Sequence, residues 1–580
     1  MGRKNTSKIT IVPAEPTPLR PFPGDYSPGE GRSPPFVFSN IMEFGIVFFC
    51  IMYSLFCLDA YFLDAVHLKL SVINLSLLIV PELLLLGSVA YRKIQIFAEI
   101  KTALYGILVF LISSLISLNI SPSLIPNNWS ADYPNHYILI DFLSTHEQLP
   151  LLTSGLGEMV QYPFGPSLFT SVIARIFGLP LMTTTGLIAA VISALIAVTV
   201  YLLAREFLKT FAFEKKLADA GALVSAFMVF SVPVYFLDQY CGNFYYSMLF
   251  GELLVLLCLL ALMNVETGGT PWIFIFILAT MGIIFTYTLF IIIPVSALVL
   301  FAILNPDKIR PLVDRVTILS GLLVAFLFVL FSYERMSIGS GILQHEGLTV
   351  EPNILNFSIL FIVLGISGII LCLKIRPAYL KSALFAYYFI ISAEYCAFVF
   401  LNRFGIIAGY YANKIFYLLV LVVSVSTCLP VVFAVRHIQK DQLRTIAAFS
   451  IISLTGLFSV CVALTYPVAT TPVVTNEDVI FSQKAEAYLQ KNAVPYEDLS
   501  ITAGAIKGYW LGLLLHMDKE SAQRFLDKPV AFNDWLKDPD ARYVAGEMMN
   551  ASYPEYFEMG GVRLQIVVRE GRMVLLKKVT

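Results

Sequence analysis

Charged residues are scarce. Only 14% of the 580 residues are Asp, Glu, Lys or Arg, where a soluble chain carries roughly a quarter. Apolar side chains take their place, at 58% of the total, and the mean hydropathy is +0.78. That balance excludes a soluble enzyme and a disordered chain. The same balance excludes a nucleic-acid binder. An excess of one sign is also missing: 39 basic against 40 acidic residues leave a net charge of −1, so overall charge says nothing about partners. The amino-terminal stretch lacks the short apolar core and small-residue cleavage site of a signal peptide. It holds Pro13, Pro16, Pro18, Pro21, Pro23, Pro28, Pro34 and Pro35 among glycines and charges, a composition that predicts a disordered tail over 1–39.

What is present is a series of apolar stretches of about twenty residues, the length that crosses a bilayer as a helix. Thirteen are read, near 40–62, 71–90, 103–121, 182–204, 217–236, 245–263, 271–285, 288–304, 312–333, 354–373, 382–402, 411–435 and 443–466. The expected fold is mainly α, a polytopic bundle of about 13 spans. Basic residues favour the cytoplasmic side of a membrane. With the tail inside, twenty-one of the 39 Lys and Arg fall in the tail and inside loops, and five fall in the outside loops (Lys69, Arg175, Arg335, Arg403, Lys414). The amino terminus is therefore expected inside and the carboxyl terminus outside.

That leaves residues 467–580 as an extracytoplasmic α/β domain. It is expected to hold a helix near 478–492, a strand Leu499–Thr502, a helix from about Ala505, and a hairpin of Val562–Arg569 and Arg572–Lys578 about Glu570-Gly571. None of the eight cysteines lies in it, so it stands on its core without disulfides, which favours a prokaryotic plasma membrane.

One outside loop is long. Over 122–181 it carries Asp132, His136, Asp141, His146, Glu147 and Glu158, with an expected helix over Tyr137–Thr145 and an amphipathic stretch Ser167–Phe177 suited to the interface. Asp132 and His136, four apart, share a face of a helix beginning near Asp132. That spacing suits a general base beside an imidazole, or a carboxylate holding a divalent cation. The alternative is that Asp132 only caps the helix. Glu82, Glu252 and Glu394 fall inside spans, where structural hydrogen bonding is the favoured reading and a transporter's proton path the other.

The run Asp132-x-x-x-His136, Gln148-Leu149-Pro150, Tyr162-Pro163-x-Gly165 and Gly178-Leu179-Pro180 resembles the first large extracytoplasmic loop of GT-C-fold integral membrane glycosyltransferases. In the best-known members that loop follows the first span; here it follows the third. The resemblance implies a bundle over 40–466 with an acidic catalytic loop outside. It implies sugar transfer from a polyprenyl-phosphate donor to a glycan, lipid or protein acceptor, with inversion. Asp132 would then be the general base, assisted by His136, with Asp238 or Glu158 as a second acid and Mg²⁺ or Mn²⁺ between Asp132 and Asp238. A leaving phosphate needs positive charge, for which Lys414, Arg403 and Arg335 are the outside candidates. Tyr133, Tyr162 and Tyr411 are candidates for the sugar or acceptor. A transporter or flippase of lipid-linked glycans is the competing reading.

Overall fold

The computed structural model describes residues 36–38, 41–96, 100–121, 124, 132–151, 153–211, 213–268, 270–310, 315–333, 349–375, 377–466, 473–548 and 553–579. The apolar stretches fold as helices, the arrangement that satisfies every backbone polar group within the segment. First come α1 (Ile41–Ala65), α2 (Val72–Lys93) and α3 (Ile100–Ile120). Strand β1 (Phe36–Phe38) pairs in parallel with β2 (Ile94–Ile96), and Phe38 is buried against Phe44 and Trp272. The rest of the expected tail lies outside the described residues.

The long loop holds α4 (Tyr133–His146), a 3-10 turn over Gly157–Gln161, and α5 (Gly165–Phe177). After it come α6 (Leu181–Lys209), α7 (Lys215–Met228), α8 (Pro233–Cys241), α9 (Tyr246–Gly268), α10 (Thr270–Ile284) and α11 (Ile292–Leu304). The bundle closes with α12 (Pro306–Ile309), α13 (Arg315–Phe331), α14 (Ile359–Ile375), α15 (Ala383–Arg403), α16 (Gly409–Ser426), α17 (Cys428–Arg436) and α18 (Asp441–Thr465).

Seven described stretches are long and apolar enough to cross a membrane: Ile41–Ala65, Ile100–Ile120, Leu181–Lys209, Tyr246–Val265, Ala383–Arg403, Gly409–Arg436 and Gln442–Thr465. The stretches in α6 and α9 are mostly buried and form the centre of the bundle, whereas α18 is largely exposed. The stretch expected as one span over 217–236 is broken. A 3-10 turn follows α7, and Val232 (φ −127°, ψ 59°) leaves helical geometry before Pro233, whose ring has no N–H and clashes with the preceding turn. Helix α5 packs into the protein. Its first three turns are buried, and Phe169 packs on Phe49, Tyr53, Phe56 and Phe250. Gly165 permits that insertion: a Cβ there would meet the Phe285 carbonyl and the Tyr53 hydroxyl at 2.7 Å.

The carboxyl-terminal part comprises α19 (Asn476–Lys491), β3 (Leu499–Thr502), α20 (Ala505–Leu514), α21 (Lys519–Asp527), α22 (Phe532–Lys537), β4 (Tyr543–Glu547), β5 (Tyr556–Met559), β6 (Val562–Glu570) and β7 (Met573–Lys578). The strands form one sheet in the order β3-β4-β7-β6-β5, with only β3 and β4 parallel. The expected elements are present, but the hairpin turn sits one residue later than expected, at Gly571-Arg572, with Gly571 at φ +52°.

Candidate active site

Helix α4 starts where Pro134 supplies a first-turn residue with no N–H to satisfy. The Asp132 carbonyl accepts from the His136 N–H at 3.0 Å, so the two residues share a face one turn apart. Asp132 stands at the N-cap position, yet its side chain makes no capping hydrogen bond. Its carboxylate turns instead to α16, where the Tyr410 hydroxyl donates to Oδ2 at 2.8 Å and Lys414 Nζ lies 3.5 Å from the same oxygen. Leaving a helix start uncapped costs about 1 kcal/mol, and the carboxylate engages a buried cation in exchange.

Lys414 is the unusual group. Its side chain is 2% exposed, that of Asp132 21%, so the carboxylate is reachable from outside and the ammonium is not. Nζ donates to the Tyr410 hydroxyl and lies over three rings, 4.0 Å from the centroid of Tyr410, 4.4 Å from Tyr245 and 5.6 Å from Tyr287. Ring faces stabilise a desolvated ammonium, and the carboxylate balances its charge.

His136 is buried, edge-on to Tyr162 and Tyr246. Burial holds its imidazole down at about 4, against the pull of Asp132 and with a further push from Lys414. It is therefore neutral near pH 7. Its Nδ1 has no hydrogen-bond partner among the described residues. Burial, then the charge of Asp132, pushes the Tyr162 phenol up.

The carboxyl-terminal domain braces α4 from the far side. Tyr133 and Tyr137 pack on Trp510 of α20. His516 lies between Asp141 of α4, at 2.6 Å, and Glu486 of α19, at 3.2 Å. Those two carboxylates raise the His516 imidazole to about 10 against the effect of burial, so it is charged near neutrality. The other end of α4 is held by Glu147, which pairs with Arg175 of α5.

Of the residues expected at the site, the structure brings together Asp132, His136, Lys414, Tyr162 and Tyr411. Tyr411 sits edge-on to Tyr410, near enough to Asp132 and Glu158 to interact with both. Glu158 is exposed on the 3-10 turn. Tyr133 is fully buried, its hydroxyl donating to the Met182 carbonyl at 3.1 Å, and its ring braces α4. Arg403 ends α15 exposed, with no ion pair to the site among the described residues. Asp238 falls on α8, and nothing of its side chain belongs to the described part; Arg335 lies outside the described residues. Among the described residues no three His, Cys, Asp or Glu side chains converge on one point, and the Asp132 carboxylate is engaged by Tyr410 and Lys414.

An apolar groove of about 800 Å³ opens on the side of the bundle, lined by Val234, Leu355, Phe357, Leu360, Phe458 and Val462 among others. A run of rings leads inward from it. Phe357 meets Tyr235 (centroids 4.9 Å apart), Tyr235 meets Tyr417 (5.4 Å), and Tyr417 meets Tyr245 (5.8 Å), the ring beneath Lys414.

No family model and no curated protein matches the chain. Three solved membrane glycosyltransferases are similar to it in overall arrangement. ArnT from Cupriavidus metallidurans, bound to undecaprenyl phosphate, has a TM-score of 0.47 at 11% identity over 83% of this chain and 99% of that one. The archaeal oligosaccharyltransferase AglB from Archaeoglobus fulgidus, in complex with an inhibitory peptide and a dolichol-phosphate, has 0.41 at 15% over 76% and 69%. The arabinofuranosyltransferase AftD from Mycobacteria has 0.45 at 11% over 82% and 40%, so the chain spans two fifths of that protein's length. The chemistry of this chain is carried by its own residues.

Proposed function

We propose that the protein is an integral membrane glycosyltransferase that moves a sugar from a polyprenyl-phosphate donor to an acceptor hydroxyl on the extracytoplasmic face. The observation that carries the reading is the pairing of a reachable carboxylate, Asp132, with a buried cation, Lys414, which a run of ring contacts joins to an apolar groove. A phosphate on a long hydrocarbon tail has the two properties those features match. The groove suits the isoprenoid chain, and Lys414 suits the phosphate in surroundings where charge is weakly screened.

The resting contact then acquires a role. Donor phosphate competes with Asp132 for the ammonium, and as Lys414 turns to the phosphate the carboxylate is released to act as a base. It takes the proton of the acceptor hydroxyl while that oxygen attacks the anomeric carbon and the phosphate leaves towards Lys414. One displacement inverts the configuration. His136, neutral at working pH, bears on the acceptor side of Asp132 without adding charge. A Mg²⁺ or Mn²⁺ ion between Asp132 and Asp238 is not required in this reading, because Lys414 supplies the positive charge.

The test is Asp132→Asn, which keeps shape and removes basicity. Transfer from polyprenyl-phosphate sugars should fall by about 10²–10⁴-fold, the usual share of general base catalysis, while the variant extracts from membranes as a folded monodisperse species. Retention of full activity would overturn the assignment. A flippase would instead move lipid-linked glycan unchanged and tolerate the substitution.

A further inference from the structure

Glu252 has no role in the scheme above, and Gln239 is the one side chain within hydrogen-bonding reach of it among the described residues. It lies on α9 seven residues after Tyr245, hence two turns deeper on the same face as the ring beneath Lys414. It is fully buried, and among the described residues neither carboxylate oxygen receives a well-formed hydrogen bond. Gln239 is its polar neighbour. The Gln239 amide nitrogen, however, donates to the Tyr235 carbonyl at 2.5 Å, and its Oε1 is itself buried without a partner.

A third group on this wall is in the same condition. The Tyr287 hydroxyl is buried and unpartnered among the described residues. Asp132 and Glu252 both act on this phenol electrostatically, and Lys414 Nζ is 5.6 Å from its ring. Tyr287 is therefore near both the cation and the start of α9. Gly251 makes room for it, since a Cβ there would come within 2.9 Å of the Tyr287 Cβ.

Buried polar groups are nearly always hydrogen-bonded, and a carboxyl inside a membrane span is kept at a cost. Three such groups on one wall call for a ligand that completes them. Phosphate does not complete all three, because it brings no donor to Gln239 Oε1. A hydrocarbon tail does not, because it leaves them as they are. A polyhydroxylated ring does: its hydroxyls donate to the carboxylate and amide oxygens and accept from the phenol.

We propose that Glu252 and Tyr287 form the floor of the site and bind the hydroxyl groups of the donor's sugar ring, an assignment that rests on the donor reading above. The test compares binding of bare polyprenyl phosphate with polyprenyl-phosphate mannose and polyprenyl-phosphate arabinofuranose, to the full-length protein in nanodiscs. The wild type should favour one of the sugar-bearing lipids by about tenfold or more, as expected of two or more buried hydrogen bonds. Glu252→Gln and Tyr287→Phe should each shrink that preference to within about threefold while leaving affinity for the bare lipid unchanged. A preference that survives both substitutions overturns the inference, as does a wild type that binds bare and sugar-bearing lipids alike. An equal loss of bare-lipid affinity would make the two residues structural and overturn it too. A wild type that binds no polyprenyl phosphate overturns the donor reading instead.

Discussion

Lys414 is fully dehydrated and neutralised by one carboxylate, so its removal should be felt first in the affinity for phosphate. Lys414→Met is expected to raise the donor KM by roughly 10–100-fold, the effect of deleting a charge-assisted hydrogen bond inside a buried site, measured against donors of fixed tail length. His136 makes a separate prediction. The unfolded imidazole takes a proton below about 6.5 and the folded one only below about 4. The unfolded state therefore binds more protons between those values, and stability falls as pH drops through that window. Thermal unfolding midpoints in detergent should decline from pH 6.5 to 4, and His136→Asn should flatten the decline. Asp132, His136 and Lys414 were legible in the sequence because outside acids and bases are few and the spacing of the first two fixes a shared face. Tyr410 as the bridge between base and cation was not, since α4 and α16 meet only through packing. Glu252 was legible as a buried carboxyl inside a span, but sequence spacing cannot say which side chains surround it.

At the scale of elements, α4 is the part on which the site depends. Its Asp132 end faces α16, and its opposite side is fixed by Trp510 and by His516 between Asp141 and Glu486. Other charged groups at this junction are Lys519, beside Gly157, and Asp518, beside Gly155. The folded His516 keeps its proton up to about 10, the unfolded one up to 6.5. The contribution of this bridge is full below the lower value and is lost as pH rises through the higher one. Hydrogen exchange in α4 should therefore speed up at alkaline pH. His516→Gln should produce that faster exchange already at pH 7 and remove the further pH response. Nothing in the local pattern marks His516, a lone histidine after a leucine-rich helix. The hairpin β6–β7 and the strand β3 were legible because alternation and turn residues are local signals. The break at Val232-Pro233 overrode an otherwise continuous apolar run, and proline had marked the place.

At the scale of the whole molecule, the asymmetry of Lys and Arg sets the sidedness we propose, with the domain after residue 467 outside. The absence of cysteine from that domain makes the test clean. In a background with the exposed Cys396 and Cys461 replaced by serine, a cysteine introduced at Lys528 should react with a membrane-impermeant maleimide on intact cells. One introduced at Lys440 should react only after permeabilisation. Reversal of the two would place the catalytic loop on the cytoplasmic side. The bundle's helical character was readable from hydropathy alone, whereas the burial of α5 was not, because it depends on the space that Gly165 leaves at Phe285 and Tyr53.

The bridge between Asp141 and His516 joins positions 375 residues apart in the chain. A ribosome that has already produced Asp132, Lys414 and the groove has yet to produce the piece that braces α4. On the function proposed, competence is thus deferred to the close of translation, and a chain cut short before α20 is expected to lack transferase activity.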